Sequence, residues 1–186
     1  IGSDLAGLIL SGSTWPSRLQ ALPGMLVARI EIGRHGKRGY SPLLQKLGFG
    51  AFNRRFAPAR TEFDWLSRDE AAVDRYLADP LCGGPFTCAL WRDLFGALWK
   101  LGSDATLIQI RAELPLLITG GAEDPVGGDK GMTKLAMHYA QTGHQRIKVR
   151  IYENGRHEML NETNRDDVMR DWLDWIDATI GRKRAG

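Results

Sequence analysis

The first hydrophobic feature of the chain is an unbroken run, LAGLIL from Leu5 to Leu10, closed by Ser11-Gly12-Ser13. A short apolar run ended by turn residues predicts a strand covered on both faces, as in parallel sheets. From Thr14 to about Ala112 the period becomes helical. Leu19, Leu22, Leu26 and Ile30 recur at helical spacing until Gly33 and Gly36, and Ser41-Pro42 joins an N-cap residue to Pro at the first helical position. Arg60 to Leu77 carries Phe63, Trp65, Leu66, Val73, Tyr76 and Leu77, with a helix expected from Ser67 through Asp69 and Glu70. Pro80 to Pro85 is a turn-rich connection. Phe86 to Leu101, with Leu90, Trp91, Leu94, Leu98 and Leu101, is a further amphipathic helix. No strand pattern interrupts this helical block.

After it the pattern alternates. Leu114 to Thr119 (LPLLIT) predicts a buried strand closed by Gly120-Gly121. A helix follows from about Lys130 to Gln141, with Met132, Leu135, Ala136 and Tyr139 on one face. Ile147, Val149 and Ile151 alternate with Lys148 and Arg150, a strand of period two. Asn164 caps a last helix to Ile180, with Asp166 and Asp167 in its first turn and Val168, Trp172, Trp175, Ile176 and Thr179 on its buried face. Strand, helix, strand, helix is the order of a βαβ sheet, so the expected fold class is α/β.

Composition narrows the alternatives. Apolar residues make up 43% of the 186, charged residues 25%, and six residues are Trp, which excludes a disordered or collagen-like chain. No apolar run approaches the ~18 residues of a membrane-spanning helix. Lys and Arg number 25 against 22 Asp and Glu, a net charge of +3. Basic residues cluster at Arg34 to Arg38, at Arg54 and Arg55, and at Arg182-Lys183-Arg184, but acids interrupt them elsewhere, which argues against a nucleic-acid partner. The same clusters allow a weak, peripheral attraction to acidic lipid head groups. Cys82 and Cys88 lack the further Cys or spaced His of a zinc site, and are read as unbonded thiols of an intracellular protein, with a disulfide between them as the alternative. No basic-then-apolar leader opens the chain, although one beginning at Ile1 can have lost it, so the cytoplasm is the expected location.

Titratable groups gather in two loops. Gly120-Gly121-Ala122-Glu123-Asp124-Pro125 follows one predicted strand, and Glu153-Asn154-Gly155-Arg156-His157-Glu158 follows the next. In a parallel sheet both loops leave the same carboxyl edge, where ligands bind. An acid on one and a histidine on the other can form the pair in which the acid fixes the imidazole tautomer and stabilises the imidazolium. The plainer alternative is a polar loop histidine beside an ordinary Asp-Pro turn.

PLLITGGAEDPVG, then a helix, then KVRIYENGRHEMLNE resembles the C-terminal end of α/β-hydrolases, and more narrowly the lysophospholipase and monoacylglycerol-lipase group of serine aminopeptidase-like hydrolases. FNRRFAPARTEFDWLSRD and YLADPLCGGPFT are similar to the helical cap of these enzymes, and LAGLILSGS resembles the core strand after the nucleophile helix. The resemblance spans nearly the whole chain. It implies a core strand at 1–13, a helical cap at 14–112, and C-terminal core strands and helices at 113–186. It implies Asp124 as the acid, with Glu123 its nearest competitor, and His157 as the general base. Glu158 and Asn161 then fix the loop or start the last helix, while His35, His138 and His144 are structural or solvated.

One departure is large. The family's nucleophile is the Ser of G-x-S-x-G on a strand-to-helix elbow ahead of the acid and the histidine, and this chain has no G-x-S-x-G. Ser3, Ser11 and Ser13 do not match it. The nucleophile, the oxyanion hole and the early strands are therefore expected outside these residues, on an upstream segment or a companion chain, leaving the Leu5 to Leu10 strand with an open edge and the chain inactive alone. For the complete protein the resemblance implies a serine hydrolase of lipid-type carboxylic esters without metal or organic cofactor. The aromatic residues of the cap, Phe63, Trp65 and Trp91 among them, are candidates for an apolar entrance, with packing of the cap against the core as the plainer reading of each. The alternatives are a non-catalytic module that binds a lipid or a partner, and an aminopeptidase-type relative, for which no acidic cluster suited to a substrate ammonium stands out.

Overall fold

A computed structural model describes residues 4–181; Ile1, Ser3 and the basic tail Arg182-Lys183-Arg184 lie outside the described residues. Three parallel strands, β1 (Leu8–Ser11), β2 (Leu116–Gly121) and β3 (Ile147–Tyr152), form one sheet in the order β1-β2-β3. The central strand is buried along its whole length, which is why its sequence is a run and not an alternation. β1 is half-buried and not sealed, because among the described residues only β2 pairs with it. β3 forms the other edge, where exposed Lys148 and Arg150 discourage further pairing.

Strand ends differ from the sequence expectation for a physical reason. β2 does not stop at Thr119: Gly120 and Gly121 remain in register with Ile151 and Tyr152 of β3. The glycines are present because another backbone comes close. A Cβ on Gly121 would lie 2.0 Å from the carbonyl oxygen of Gly155.

Side chains alternate across the sheet, so each face takes one layer. Helix α6 (Gly128–Gln141) covers the face carrying Leu116 and Ile118, burying Met132, Leu135 and Tyr139 against them. Helix α7 (Arg165–Ile180) lies on the other face, where Trp172 and Trp175 flank a groove with Leu117. Val168 is sealed against Tyr152 and Met159, while Ile176 sits at the margin of the packed face. Asn164 takes the N-cap position of α7 without capping it through its side chain. Its Oδ1 accepts a hydrogen bond from Nη2 of Arg68 instead.

Between β1 and β2 lies the helical block: α1 (Arg18–His35), α2 (Pro42–Phe49), a 3-10 turn at Phe52–Phe56, α3 (Glu70–Ala78), α4 (Cys88–Leu101) and the short α5 (Asp104–Leu107). Its only β feature among the described residues is an isolated bridge between Tyr40 and Thr87. Ser41 caps α2, accepting from the N–H of Leu44. α3 begins later than Ser67, because Asp69 accepts from the N–H of Ala72 and is the cap. The large apolar residues of α1 mark the helix but not its buried side: Leu19, Leu22, Leu26 and Ile30 are exposed, whereas Ala21, Ala28 and Glu31 are buried. Small residues let α1 approach α4 closely, and a Cβ on Gly24 would meet the Phe95 ring at 2.8 Å. Trp91 of α4, at 1% exposure, is the centre of this packing with Ala28, Leu44 and Cys88. Cys82 and Cys88 are unbonded, and no helix of the described residues is long and apolar enough to cross a membrane.

Trp91→Ala is expected to cost the folded protein about 3–5 kcal/mol, seen as a lower urea midpoint. Trp91→Phe, which keeps a ring beside Phe49 and Phe95, should cost less. An unchanged midpoint in Trp91→Ala contradicts this account of the cap.

Candidate active site

Two loops at the carboxyl edge of the sheet bring Asp124 and His157 together. The acid loop turns directly after β2 and is anchored by Ala122 N–H on the carbonyl of Tyr152 and Glu123 N–H on that of Gly155. Within it, Oδ1 of Asp124 accepts from the N–H of Val126 at 2.8 Å. Its other oxygen, Oδ2, stands 2.9 Å from Nδ1 of His157. The Asp124 side chain is 2% exposed and that of His157 28%, so the acid is sealed while the imidazole keeps an open side. Glu123 does not take the place of Asp124: it forms a looser ion pair with Arg55 of the 3-10 turn, at 3.7 Å.

The end of β1 passes over this pair. Gly12 has φ +57, and a Cβ there would lie 3.0 Å from Cε1 and Nδ1 of His157 and 3.2 Å from Oδ2 of Asp124. Both the left-handed backbone and the lack of space call for glycine. In the sequence Gly12 is only the middle of a turn, and the proximity that makes it matter comes from sheet order.

The cap supplies the remaining wall. His157 N–H donates to the carbonyl of Trp65 at 3.4 Å and Glu158 N–H to that of Leu66 at 2.8 Å. The Trp65 ring lies 5.1 Å from the imidazole, tilted by 44°. Asn53 Oδ1 in turn accepts from the N–H of Trp65. Asp64 accepts from the N–H of Arg60 and from both the N–H and the hydroxyl of Thr61, which ties the segment leading into Trp65. Arg156 reaches from the histidine loop to the carbonyls of Asp64 and Ser67, with its guanidinium over the ring of Phe56. Glu162, wholly buried, binds Arg68 and the N–H of Arg156. None of these ties follows from composition or period; the only sequence signal is that Glu162 and Arg68 lie within the two segments NGRHEMLNE and FDWLSRD that carry the family resemblance.

Beside the imidazole a cavity of about 460 Å³ opens between Phe49, Phe63, Trp65, Leu66, Tyr76 and Phe86, with His157 and Glu158 on its wall. Phe63 and Trp65 thus line it. Trp91 does not; it lies behind Phe49 and Phe86, at ring distances of 5.1 and 5.2 Å, and supports them. Glu158 accepts from Asn161 Nδ2 at 2.7 Å, and the carbonyl of Asn161 receives the Ser67 hydroxyl, so both hold the loop. The other histidines have other neighbours. His35 faces Glu31, and His144 is buried on the carbonyl of Tyr139. His138 does meet an acid, Asp104 of α5 at 2.8 Å, and stacks on Trp15.

A sequence model of the family described as serine aminopeptidase, S33, matches residues 2–164. The chain belongs to that family, and its parallel strands and flanking helices are those of the α/β-hydrolase fold. Among solved structures it is similar to a thermostable carboxyl esterase from Bacillus coagulans, with 24% identity, a TM-score of 0.80 and coverage of 96% of this chain and 58% of that one. It is also similar to a lipase in an open form, with 21% identity, a TM-score of 0.78 and coverage of 97% and 59%. A soluble variant of monoglyceride lipase from Saccharomyces cerevisiae aligns at 16% identity and a TM-score of 0.57, covering 98% of this chain and 55% of that one. At these identities the likeness is one of fold, and the chain spans less than two thirds of each of these structures. No curated protein matches the sequence.

Burial opposes ionisation of Asp64, but the Thr61 hydroxyl and the N–H groups of Arg60 and Thr61 outweigh it and hold its carboxyl below the usual range. A carboxylate with a depressed folded-state value stabilises the fold above its unfolded value, near pH 4, and that stability is lost as pH falls through the folded value. Urea midpoints measured between pH 7 and about pH 3 should therefore fall less steeply in Asp64→Asn than in the natural protein. Equal slopes would show that the Asp64 carboxyl is not held below its unfolded value.

Proposed function

We propose that this chain supplies the acid, Asp124, and the general base, His157, of a Ser-His-Asp hydrolase acting on carboxylic esters of lipid type. The observation that carries the reading is the 2.9 Å contact between Nδ1 of His157 and a sealed Asp124 carboxylate, at the ends of neighbouring parallel strands. With Nδ1 occupied by the acid, Nε2 is the nitrogen that takes a proton from an attacking hydroxyl and returns it to the leaving group. Asp124 holds the tautomer and offsets the positive charge while the proton resides on the ring. The hydroxyl comes from outside these 186 residues, none of whose serines stands in G-x-S-x-G. The aromatic cavity of about 460 Å³ beside His157 supports an apolar acyl or alkyl group as the neighbouring part of the substrate.

In the complete protein a fluorophosphonate probe is expected to label a serine outside this chain, and His157→Ala to abolish that labelling. Hydrolysis of a medium-chain monoacyl ester should fall by about 10²–10⁴-fold in the same variant, the contribution of a positioned general base. Absence of labelling in the complete protein would instead favour a binding module. Faster cleavage of an aminoacyl amide than of the ester would favour the aminopeptidase chemistry for which the family is described.

A further inference from the structure

We propose that Glu162 is a positioning residue for His157, its buried carboxylate tying the main chain just before the histidine to the cap segment that walls the imidazole. The side chain is 0% exposed. Oε1 accepts from two backbone N–H groups, that of Arg156 at 2.9 Å and that of Arg68 at 3.2 Å. Oε2 accepts from Nε of Arg68 at 2.9 Å and from the N–H of Thr163 at 3.0 Å. A single oxygen therefore bridges the histidine loop and the cap.

The geometry around that bridge explains why it bears on the imidazole. His157 follows Arg156 directly, and Trp65 stands three residues before Arg68. The imidazole is gripped by Asp124 at Nδ1 and flanked by the ring of Trp65, so its orientation depends on the spacing of residues 65–68 from residues 156–157. The carbonyls of Trp65 and Leu66, which accept from the N–H groups of His157 and Glu158, and the Arg156 guanidinium also set that spacing; Glu162 adds a buried carboxylate that accepts from the main chain on both sides. A buried carboxylate is costly to desolvate, and an apolar side chain of similar volume fills space without that cost. What the carboxylate does, and an apolar side chain cannot, is fix two N–H groups relative to each other. The more exposed pair Arg165–Asp69 joins the same regions through side chains that bond neither the Glu162 carboxylate nor the N–H groups it holds, and it is the natural control.

This inference deepens the ester-hydrolase reading by naming what keeps its base in place, yet its test does not depend on turnover. The readout is the exchange with water of the Nδ1 proton of His157, followed by NMR in the protein below its unfolding transition. Glu162→Gln keeps the volume but turns an NH₂ group towards two donors, and it is expected to speed the exchange about tenfold, the effect of losing one hydrogen bond. Glu162→Met, which fills the space but removes both acceptor oxygens, should act in the same direction, should Glu162→Gln fail to fold. Arg165→Met should leave the exchange unchanged. A folded Glu162→Gln or Glu162→Met protein that melts earlier but keeps the exchange rate overturns the proposal, and so does an equal acceleration in Arg165→Met. In the complete protein kcat should fall with KM unchanged. If no ester is cleaved at all while the exchange responds as expected, the hydrolase reading fails and the positioning role stands.

Discussion

Asp124 is an acid that the surrounding chain keeps from water, and the arrangement that does so also orients His157. The carboxylate is satisfied by one backbone N–H and one imidazole nitrogen, and charge-assisted hydrogen bonds of this kind contribute about 1.5–3 kcal/mol each. That energy is available only if two loops and the end of a third strand converge to within van der Waals distance. Gly12, Gly121 and Gly155 are the points of convergence, where a Cβ would meet His157, the carbonyl of Gly155 and Met159 respectively. The sheet order β1-β2-β3 brings these three strand ends together there.

The cap is bonded to the same place. Its Asp64 to Arg68 segment gives carbonyls to His157, Glu158 and Arg156, while Glu162 receives N–H groups from both sides. Removing one partner of a buried charged pair typically costs about 3–5 kcal/mol, far more than the exposed ion pairs elsewhere on the surface contribute. The link between cap and histidine loop is accordingly strong beside the imidazole.

Much of this was legible from sequence because local physics set it. β2 reads as a buried run since it is buried on both faces, and Ser41-Pro42 starts a helix since the serine oxygen accepts a main-chain N–H. The acid and the histidine were legible as strand-end residues. What stayed hidden depended on close approach between distant segments. The large apolar residues of α1 point away from the packing because small residues allow α4 nearer, and Trp91 is a support for the pocket wall instead of part of it. The role of Glu162 arises from two N–H groups that only the fold brings to the same oxygen.

The pairing of Asp124 with Nδ1 is the central claim, and the tautomer of His157 reports it directly. Nitrogen-15 NMR of the neutral imidazole should find the proton on Nδ1, facing the carboxylate, and Asp124→Asn should lose that preference. A neutral His157 protonated on Nε2 in the unaltered protein, with Nδ1 bare, would contradict the account.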